Sequence, residues 1–411
     1  MPDDVAPKGR SAPVPKPALP RGMCTDCGLS RIKLARECGH ACQFTAPRYP
    51  ELETEIHGAP RDVEISNQLF FGPNIGMHKA AMASPRADAQ WTGITTSLGE
   101  QLLVMGKVDA VLTIGPDPGD RWKPRPVLIT EPSEMQHARG MRMGFAPLLS
   151  LLEPAADAGY KRIAVIGIPC QIHALRGIEQ KLGFDKIYVI GTPCSDNTTT
   201  ENFRTFLGLL SDKPETVCYL EFRADYHVEL RFEDGRKQEI PFLKLPLSDL
   251  PKDFFPLTCQ TCVDYTNALA DITVGYMAGQ GEQWVIVRNE RGQEILDTLG
   301  SAIRLSPVAS KGKRDSAVKG FMENTKLAAG GLPLRRMPNF MRGIMGWLMP
   351  RIGPKGSEFA RARVEMKAIE TILHLRRARP NLIRHMVPDH VWKLVARYGL
   401  RPESGERPEK R

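Results

Sequence analysis

Long hydrophobic runs are missing from this 411-residue sequence: no stretch approaches the roughly 18 consecutive apolar residues that a membrane-spanning helix requires. The N-terminal residues also lack the apolar centre of a secretory signal peptide. A mean hydropathy of −0.28 and a hydrophobic content of 42% are typical of a soluble globular protein. We therefore expect a cytoplasmic chain, in which grouped cysteines serve as metal ligands or redox groups rather than as disulfides.

Acidic residues are scarce at the C-terminal end. Residues 335–411 contain 18 Lys and Arg against 7 Asp and Glu, a charge of +11, whereas the whole chain carries +9, which leaves −2 for the rest. A basic tail could face anionic lipid headgroups, an acidic protein or nucleic acid. No pattern of a nucleic-acid-binding module accompanies it, so we expect no nucleic-acid partner. Its segment MPNFMRGIMGWLMPRIG favours either peripheral contact with the cytoplasmic face of a membrane or docking on the main body.

Eight of the nine cysteines form two groups, and the first group is compact. Cys24, Cys27, Cys38 and Cys42 have the spacing C-x2-C-x10-C-x3-C. Four thiolates are the ligand set of a cubane iron–sulfur cluster, although they also suit structural zinc. His40 could compete as a ligand, and we interpret it as a neighbour of the metal rather than a ligand.

The second group of cysteines is dispersed along the chain. It consists of Cys170 in GIPCQ, Cys194 in GTPCSDN, and the pair Cys259 and Cys262 in PLTCQTC. Cys170 and Cys194 each follow a proline at the carboxyl end of a predicted parallel strand, where open α/β sheets form their sites. The alternative is that both are buried core cysteines. The ninth cysteine, Cys218, has the context of a packing residue. Two four-thiolate sites predict a protein that moves electrons singly.

Short β-rich runs alternate with helical periodicity between about residues 90 and 191, which predicts an α/β fold with a mainly parallel sheet. Residues 216–243 switch to period-two patterning around Glu233-Asp234-Gly235, which predicts a small antiparallel insertion. The predicted regions are a disordered leader over 1–22, an iron–sulfur module over 23–50, an α/β domain with FAD and the second cluster over 51–305, and a basic helical region over 306–411.

The segment WTGITTS is a candidate nucleotide-binding loop. Gly93 allows a phosphate to approach the backbone closely, and Thr95, Thr96 and Ser97 present hydroxyl and N–H groups at a helix N-terminus. An ordinary helix cap explains the same residues equally well. Because reduction of an organic bond by a net hydride needs a group that collects two electrons, flavin is the expected cofactor.

Five motifs together resemble the family of deazaflavin (coenzyme F420-type) hydrogenase/dehydrogenase β-subunits, and within it the branch that acts on chlorophylls. They are GIPCQIHALRG, GTPCSDN, the CxxC with DYTNALADITVGYM, WTGITTS and DPGDRWKPRPVL, and the resemblance covers roughly residues 20–300. It implies an α/β FAD-binding core, two 4Fe-4S clusters and reduced ferredoxin as electron donor. The basic tail after about Leu305 has no clear counterpart in this pattern.

The resemblance also implies roles for individual residues. One cluster would be held by Cys24, Cys27, Cys38 and Cys42, and the other by Cys170, Cys194, Cys259 and Cys262. The FAD site would be lined by Trp91, Thr92, Gly93, Ile94, Thr95 and Thr96, together with Arg139, Gly140 and Tyr276. Tyr276 stands where deazaflavin-using members commonly have an acidic residue, which argues against deazaflavin as the partner.

The function implied by the resemblance is ferredoxin-dependent reduction of the 8-vinyl group of a 3,8-divinyl (proto)chlorophyllide a to an ethyl group, in (bacterio)chlorophyll biosynthesis. Three alternatives remain open. They are a 7-hydroxymethyl chlorophyll a reductase, a β-subunit-like electron-transfer module of a hydrogenase or formate dehydrogenase, and a zinc-stabilised interaction protein without enzymatic activity.

Three further side chains are candidates for the reaction. His78 is the candidate proton donor, because an imidazole titrates near neutral pH, and the alternative is a histidine on a surface helix. Lys123 and Arg125 could pair with the propionate of the tetrapyrrole or with FAD phosphates, or they could belong to a solvated loop.

Overall fold

The structure, a computed structural model, describes residues 23–87, 89–223, 225–276, 282–332 and 337–407. The leader predicted for residues 1–22 lies outside the described residues. None of the described helices combines the length and the hydrophobicity that crossing a bilayer demands.

Thirteen strands are present in the described residues. In chain order they are β1 (Gly76–Met82), β2 (Ala110–Asp117), β3 (Asp120–Ile129), β4 (Arg162–Gly167), β5 (Lys186–Gly191), β6 (Val217–Phe222), β7 (His227–Phe232), β8 (Lys237–Pro241), β9 (Ile272–Tyr276), β10 (Gln283–Val287), β11 (Ile303–Pro307), β12 (Ser310–Lys311) and β13 (Lys355–Gly356).

Fourteen α-helices accompany these strands in the described residues. In chain order they are α1 (Cys38–Ala41), α2 (Tyr49–His57), α3 (Ser66–Phe71), α4 (Ile94–Val104), α5 (Leu152–Asp157), α6 (Pro169–Arg176), α7 (Thr200–Leu210), α8 (Leu257–Gln260), α9 (Glu290–Asp297), α10 (Asp315–Ala328), α11 (Asn339–Ile352), α12 (Ser357–Ala378), α13 (Ile383–Met386) and α14 (Asp389–Val395).

The largest sheet has eight strands in the order β11-β1-β10-β9-β5-β4-β2-β3. Its centre is parallel, because β2 pairs with β4, β4 with β5 and β5 with β9 in the same direction. Strands β3, β10 and β11 run the opposite way, so five of the eight strands share one direction. The prediction of an α/β fold with a parallel centre is confirmed, and the sheet as a whole is mixed.

Helices and short helical turns cover both faces of this sheet. In β4, Ile163 and Val165 contact the layer that contains α6, whereas Ala164 and Ile166 contact the layer that contains α4. All four are buried, which explains why RIAVIG is continuously apolar rather than alternating. The carboxyl ends of β4 and β5 therefore meet at one protected edge of the sheet.

A second sheet of three antiparallel strands, β6-β7-β8, lies beside the main one. Its β7–β8 turn spans the predicted Glu233-Asp234-Gly235, so the predicted hairpin is confirmed. The buried side chains of this sheet pack against Phe203 and Phe206 of α7 in a separate hydrophobic cluster.

The C-terminal region is helical, as predicted, and its helices are packed against the main sheet. Val318 of α10, Ile369 and Ile372 of α12 and Val391 of α14 share one hydrophobic cluster with Trp284 of β10. Much of the tail's basic charge is used in ion pairs: Arg314 contacts Glu358 and Glu365, Arg376 contacts Glu406, Arg397 contacts Asp315, and Lys393 contacts Glu64.

Two segments differ from the sequence expectation. The segment GMHKAAM forms strand β1 rather than the surface helix considered as the alternative for His78, because it pairs with β10 on one side and β11 on the other. The segment DRWKPRPVLI forms β3, an edge strand whose prolines have only one partner strand, β2. Tertiary pairing decides the conformation in both cases.

Candidate active site

The first cysteine group lies on the loop that leads into α1 and on α1 itself. Cys38 begins this helix and Cys42 follows it directly. Burial raises the pKa of Cys27, and the thiols of Cys42, Cys38 and Cys24 raise it further. The four thiols are thus close enough to interact, and the exposed Cys24 places this set, the outer thiol set, at the surface.

A close backbone contact joins the outer thiol set to the short helical turn over Leu148–Leu151, which packs beside the main sheet. The carbonyl of Cys27 accepts a hydrogen bond of 2.9 Å from the N–H of Leu149. Gly28 adopts a φ of +104°, and a Cβ atom there would lie 2.6 Å from the carbonyl oxygen of Pro147. Only glycine meets both requirements, so the loop can lie directly against this backbone.

The second cysteine group is assembled from three separate segments. Cys170 is the second residue of α6 after β4, Cys194 lies in the loop after β5, and Cys259 and Cys262 are in and just after α8. Burial raises the pKa of Cys194, and the thiols of Cys259, Cys170 and Cys262 raise it further. Parallel pairing of β4 with β5 brings Cys170 and Cys194 to one edge, as predicted. This group is the inner thiol set.

The two thiol sets adjoin each other. Gln43, next to Cys42, donates a hydrogen bond of 3.3 Å from its Nε2 to the Sγ of Cys262. Burial raises the pKa of Cys170, a hydrogen bond with the Thr25 side chain lowers it, and the thiol of Cys27 raises it. Contacts of this kind show that the two thiol sets lie against each other.

The donor sets fit iron–sulfur clusters. Among the described residues, no three Cys, His, Asp or Glu side chains are arranged as ligands of a single metal ion. In a four-iron cube each cysteine binds a different iron, so the sulfur atoms stand farther apart than around one ion. Two gathered groups of four thiols suit that arrangement. His40 is exposed on α1, beside the outer thiol set.

A cavity of about 650 Å³ opens next to the inner thiol set. It is bounded by the carboxyl ends of β4 and β5, by the small sheet and by the C-terminal helices. Cys194 is part of its wall, whereas Cys218, on the exposed face of β6, is not among its lining residues. The inner thiol set thus separates the outer thiol set from this cavity.

The glycine-threonine loop forms one end of the cavity. Trp91, Gly93, Thr95 and Thr96 line it, and Trp91 and Gly93 have φ values of +53° and +83°. This left-handed backbone turns the chain sharply into α4. The first N–H groups of a helix have no intrahelical acceptor, so they favour an anionic group placed there.

Two members of the predicted FAD segment hold the loop in place. The hydroxyl of Thr92 accepts a hydrogen bond of 3.1 Å from the N–H of Met82. Ile94 is buried in the core, and its N–H donates to the Gln283 side chain at 3.3 Å. Thr92 and Ile94 position the loop, while their neighbours face the cavity.

Arginine side chains give the same end of the cavity a positive charge. Arg139, Gly140 and Arg142 line it. Burial lowers the pKa of Arg142 to about 10, and its guanidinium contacts only carbonyl oxygens, at 3.4 Å, with no ion-pair partner among the described residues. Burial and then Arg139 lower the pKa of Arg86 behind the loop. A half-buried cation without a counter-ion among the described residues fits a pyrophosphate, as FAD would supply.

The other end of the cavity is apolar and wide. It is walled by α7, by the small sheet with its following loop and by the C-terminal helices. These side chains are Phe206 from α7, then Phe222, Phe242, Leu245, Leu247, Leu250, Phe254 and Phe255 from the small sheet and its following loop, and Phe321, Met345, Met349, Phe359 and Met366 from the C-terminal helices. Such a wall suits a large flat apolar ligand.

Helix α12 closes the cavity behind the inner thiol set. Lys367 is buried and donates from its Nζ to Asp196 at 2.8 Å, to Glu370 at 2.6 Å and to the carbonyl of Cys259 at 2.8 Å. The hydroxyl of Thr371 donates to the carbonyl of Cys262 at 3.2 Å. The tail therefore holds two of the segments that carry the inner thiols.

Other residues named from the sequence are not among the described lining residues of the cavity. His78 is a half-buried residue of β1 between β10 and β11 and is not among the described lining residues. Lys123 is exposed on β3, with its Nζ 3.8 Å from Asp117, and Arg125 of the same strand pairs through its backbone with Gly115 of β2. The backbone of Tyr276 pairs with Gln283, but its side chain lies outside the described residues.

Several site residues were missed from the sequence. Arg142 follows Arg139 closely in ARGMRMG, and this repeated arginine beside glycines is a signal that could have identified it. Lys367 and Glu370 had no local signal, because Lys367 is 108 residues beyond Cys259 along the chain. Gln43 and Thr25 adjoin cysteines but resemble ordinary loop residues.

One family description, "Coenzyme F420 hydrogenase/dehydrogenase, beta subunit", matches the chain in two parts. Its N-terminal part matches residues 77–153, and its C-terminal part matches residues 160–311. These ranges contain the glycine-threonine loop, Arg142 and the inner thiol set. The outer thiol set and helices α10 to α14 lie outside them.

Two relatives match nearly the whole chain. An uncharacterized protein of Nostoc sp. is 37% identical over 92% of this chain and 94% of its own length. The 7-hydroxymethyl chlorophyll a reductase of Oryza sativa subsp. japonica is 36% identical over 91% of this chain and 82% of its own length. Since these matches omit less than a tenth of the chain, most of residues 306–411 has a counterpart there, contrary to the expectation for the tail.

More distant relatives agree on the fold and the family. The beta subunit of the coenzyme F420 hydrogenase of Methanosarcina barkeri is 26% identical over 54% of this chain and 79% of its own length. A chain of the F420-reducing [NiFe] hydrogenase complex from the same organism matches the fold with a TM-score of 0.52, at 22% identity, over 58% of this chain and 84% of that chain. The chain belongs to the family of coenzyme F420 hydrogenase/dehydrogenase beta subunits.

Proposed function

We propose that the chain is an oxidoreductase that uses two iron–sulfur clusters and FAD to reduce a chlorophyll-type tetrapyrrole. One observation carries this proposal: a single cavity joins Cys194 of the inner thiol set, the glycine-threonine loop with its arginines, and a wide apolar compartment. A flavin at the polar end and a flat macrocycle at the apolar end would meet beside the inner thiols. The rice relative, whose name states a chlorophyll substrate, supports the same class.

Electrons enter, on this proposal, at the outer thiol set. Cys24 is exposed there, and the side chains of Lys33 and Arg36 are 80% and 85% exposed close by. Exposed cations suit an acidic electron-carrier protein, and reduced ferredoxin is the donor we propose. The inner thiol set lies between this surface and the cavity, so it is the second site on the proposed path of the electrons.

Each part of the chain has a distinct task in the reaction. Bound FAD would collect two electrons and supply a hydride. The loop of Trp91 and Gly93, together with Arg139 and Arg142, would orient it, and the phenylalanine and methionine wall would exclude water from the reacting carbon.

A proton must also reach the substrate. Burial, followed by the charge of Asp196, raises the pKa of Glu370 to about 7, and Glu370 lines the cavity. The Lys367 ammonium, 2.6 Å from this carboxyl, acts in the opposite direction and lowers the pKa. The carboxyl can therefore both gain and lose a proton near neutral pH, so we propose it as the donor. His78 stays a prediction from the sequence, away from the lining residues.

The first reaction we propose is reduction of the 8-vinyl group of a 3,8-divinyl (proto)chlorophyllide a to ethyl, in (bacterio)chlorophyll biosynthesis. A vinyl group conjugated to the macrocycle accepts a hydride because the ring system spreads the negative charge. A second candidate is reduction of a 7-hydroxymethyl group, which the similarity to the rice enzyme favours. Both reactions use the same cavity and the same electron path.

The test offers both pigments to anaerobically purified, cofactor-loaded protein with reduced ferredoxin. Formation of the 8-ethyl product supports the first reaction, and formation of a 7-methyl product from the hydroxymethyl pigment alone replaces it with the second. If neither pigment is reduced while clusters and flavin are present, the proposed substrate class is wrong. Copurification of a large metal-bearing partner would instead favour an electron-transfer module.

A further inference from the structure

Helix α11 has an outer face of exposed apolar side chains. Phe340 is 71% exposed, Ile344 59% and Trp347 60%, and these three lie at i, i+4 and i+7 along one stripe. Met341 and Ile352 are exposed beside them. Five of the twelve large hydrophobic side chains that are exposed in the described part of the chain thus lie on this one helix.

The inner face of the same helix is part of the cavity wall. Met345 and Met349 line the apolar end of the cavity. Gly346 sits over the turn that follows the small sheet, where a Cβ would be 3.7 Å from Leu243 and from Lys244. One helical layer therefore separates the exposed stripe from the apolar compartment.

The charged residues along α11 and the turn after it are of one sign. The sequence from Met337 to Ser357 contains three cations and no acidic residue. Arg351 lies at the end of the helix with its guanidinium 4.2 Å from the centre of the Trp347 ring. Lys311 and Lys355 form the adjacent β12–β13 pair, and Lys244 is exposed beside the helix.

We propose that the outer face of α11 docks on the surface of a membrane that contains anionic lipids. Apolar and aromatic side chains would enter the boundary of the acyl chains, while Arg351, Lys311 and Lys244 would meet the headgroups. An apolar ligand dissolved in the membrane would then have only this helix between it and the cavity. The entry of such a ligand from the membrane rests on the proposed function, whereas the docking itself does not.

Vesicle flotation of the full, cofactor-loaded chain tests the docking. The protein is mixed with phosphatidylcholine vesicles that either contain or lack phosphatidylglycerol. We expect flotation with the anionic vesicles, and a loss of about tenfold or more in the bound fraction for the double variant Ile344→Glu with Trp347→Glu. Arg351→Gln should weaken binding about fivefold and reduce its dependence on salt.

The matched control is Val104→Glu with Met105→Glu, because Val104 and Met105 are also adjacent and exposed, at 58% and 51%, but lie at the end of α4 outside this charge pattern. This control should float like the wild type. The proposal is overturned if the wild type stays in solution with both vesicle compositions, or if the control loses binding as much as the α11 variant.

A second copy of the chain is the other occupant that the test detects. If the wild type sediments as an oligomer that the α11 double variant dissociates, and does not float, then another copy covers the stripe and membrane docking is overturned. Pigment reduction in detergent separates the two hypotheses. Flotation without reduction rejects the proposed function alone, and reduction without flotation rejects the docking alone.

Discussion

The two thiol sets differ in how the chain builds them. The outer set comes from one stretch of 19 residues, Cys24 to Cys42, and reaches the surface through Cys24. The inner set gathers thiols from three distant segments and is covered by α12. The outer set therefore depends on a local loop and its backbone contact with Leu149, whereas the inner set depends on the whole fold, including the tail. A substitution in the loop that holds the outer set should therefore spare the inner set, and a substitution in α12 should spare the outer set.

The largest effect is expected from Lys367→Met. The change removes the buried cation that pairs with the buried Glu370 and the half-buried Asp196, and breaking a buried pair costs about 3–5 kcal/mol of unfolding free energy. Iron analysis and thermal unfolding of anaerobic protein should show loss of the inner cluster with retention of the outer one. Arg376→Met, on the same helix but in a partly exposed pair with Glu406, is the control and should cost about 1 kcal/mol or less. Equal iron loss in both variants would contradict this assignment.

Gly28→Ala should affect the opposite set. The left-handed backbone at +104° alone costs about 1–3 kcal/mol for a residue with a Cβ, and the clash with Pro147 adds to it. Gly58→Ala isolates the backbone cost, because Gly58 has a φ of +83° but open space around its Cβ position. We expect a larger loss of stability and of outer-cluster iron in Gly28→Ala. If the two variants behave alike, the close contact has no importance for the outer set.

Arg142→Met should spare both thiol sets and weaken flavin binding. Removing a charge-assisted contact to a phosphate costs about 1.5–3 kcal/mol, or roughly tenfold or more in the dissociation constant of FAD. Fluorescence titration of flavin-depleted protein measures this change, with unchanged iron as the check on folding. Lys123→Met, at an exposed position of β3, serves as the control and should bind FAD normally. If Lys123→Met weakened FAD binding more than Arg142→Met did, the phosphate site would lie at β3 instead.

The smallest effect is a pH dependence from His173. His173 lies on α6, and its Nδ1 is 2.9 Å from the carbonyl oxygen of Ala41, a residue of α1 next to Cys42. Burial lowers the pKa of His173 to about 4. The unfolded histidine binds a proton below about pH 6.5 and the folded one does not, so stability falls as the pH decreases from 6.5 towards 4. At pH 5.5 the loss from this group is about 1.4 kcal/mol relative to pH 7.5.

His173→Gln should reduce this pH dependence by that amount. Denaturant unfolding at pH 7.5 and 5.5 measures it, and the comparison uses the difference between the two pH values rather than absolute stability. His57, whose pKa burial lowers to about 3, supplies a similar dependence that remains in the variant. An unchanged pH dependence would show that His173 is not buried in its neutral form.

Local patterns sufficed for much of the fold. The strands β2, β4, β5 and β9 and helices α4 and α6 follow directly from apolar runs and helical periodicity, because buried parallel strands are continuously apolar. Strands β1 and β3 could not be predicted in this way. The segment GMHKAAM contains good helix formers, and DRWKPRPVLI contains prolines, so only pairing with distant strands makes them extended.

In the candidate site too, some features could be predicted from local sequence patterns and others depend on contacts between distant segments. Cysteine spacing and the position of Pro-Cys after two strands indicated which thiols would gather, since parallel strands place their ends together. The role of the tail was not predictable, because the contact of Lys367 with Cys259 depends on how α12 packs over the finished sheet. Arg142 was within reach of sequence reasoning, but its lack of a counter-ion among the described residues is visible only in the fold.

The central claim is that each thiol set holds its own four-iron cluster. Iron, inorganic sulfide and flavin should be measured in anaerobically purified full-length protein and in the variants Cys38→Ser and Cys194→Ser. We expect two clusters and one FAD per wild-type chain, and one cluster in each variant, with the outer one lost in the first and the inner one in the second. Wild-type protein that contains metal but neither inorganic sulfide nor flavin would contradict the account.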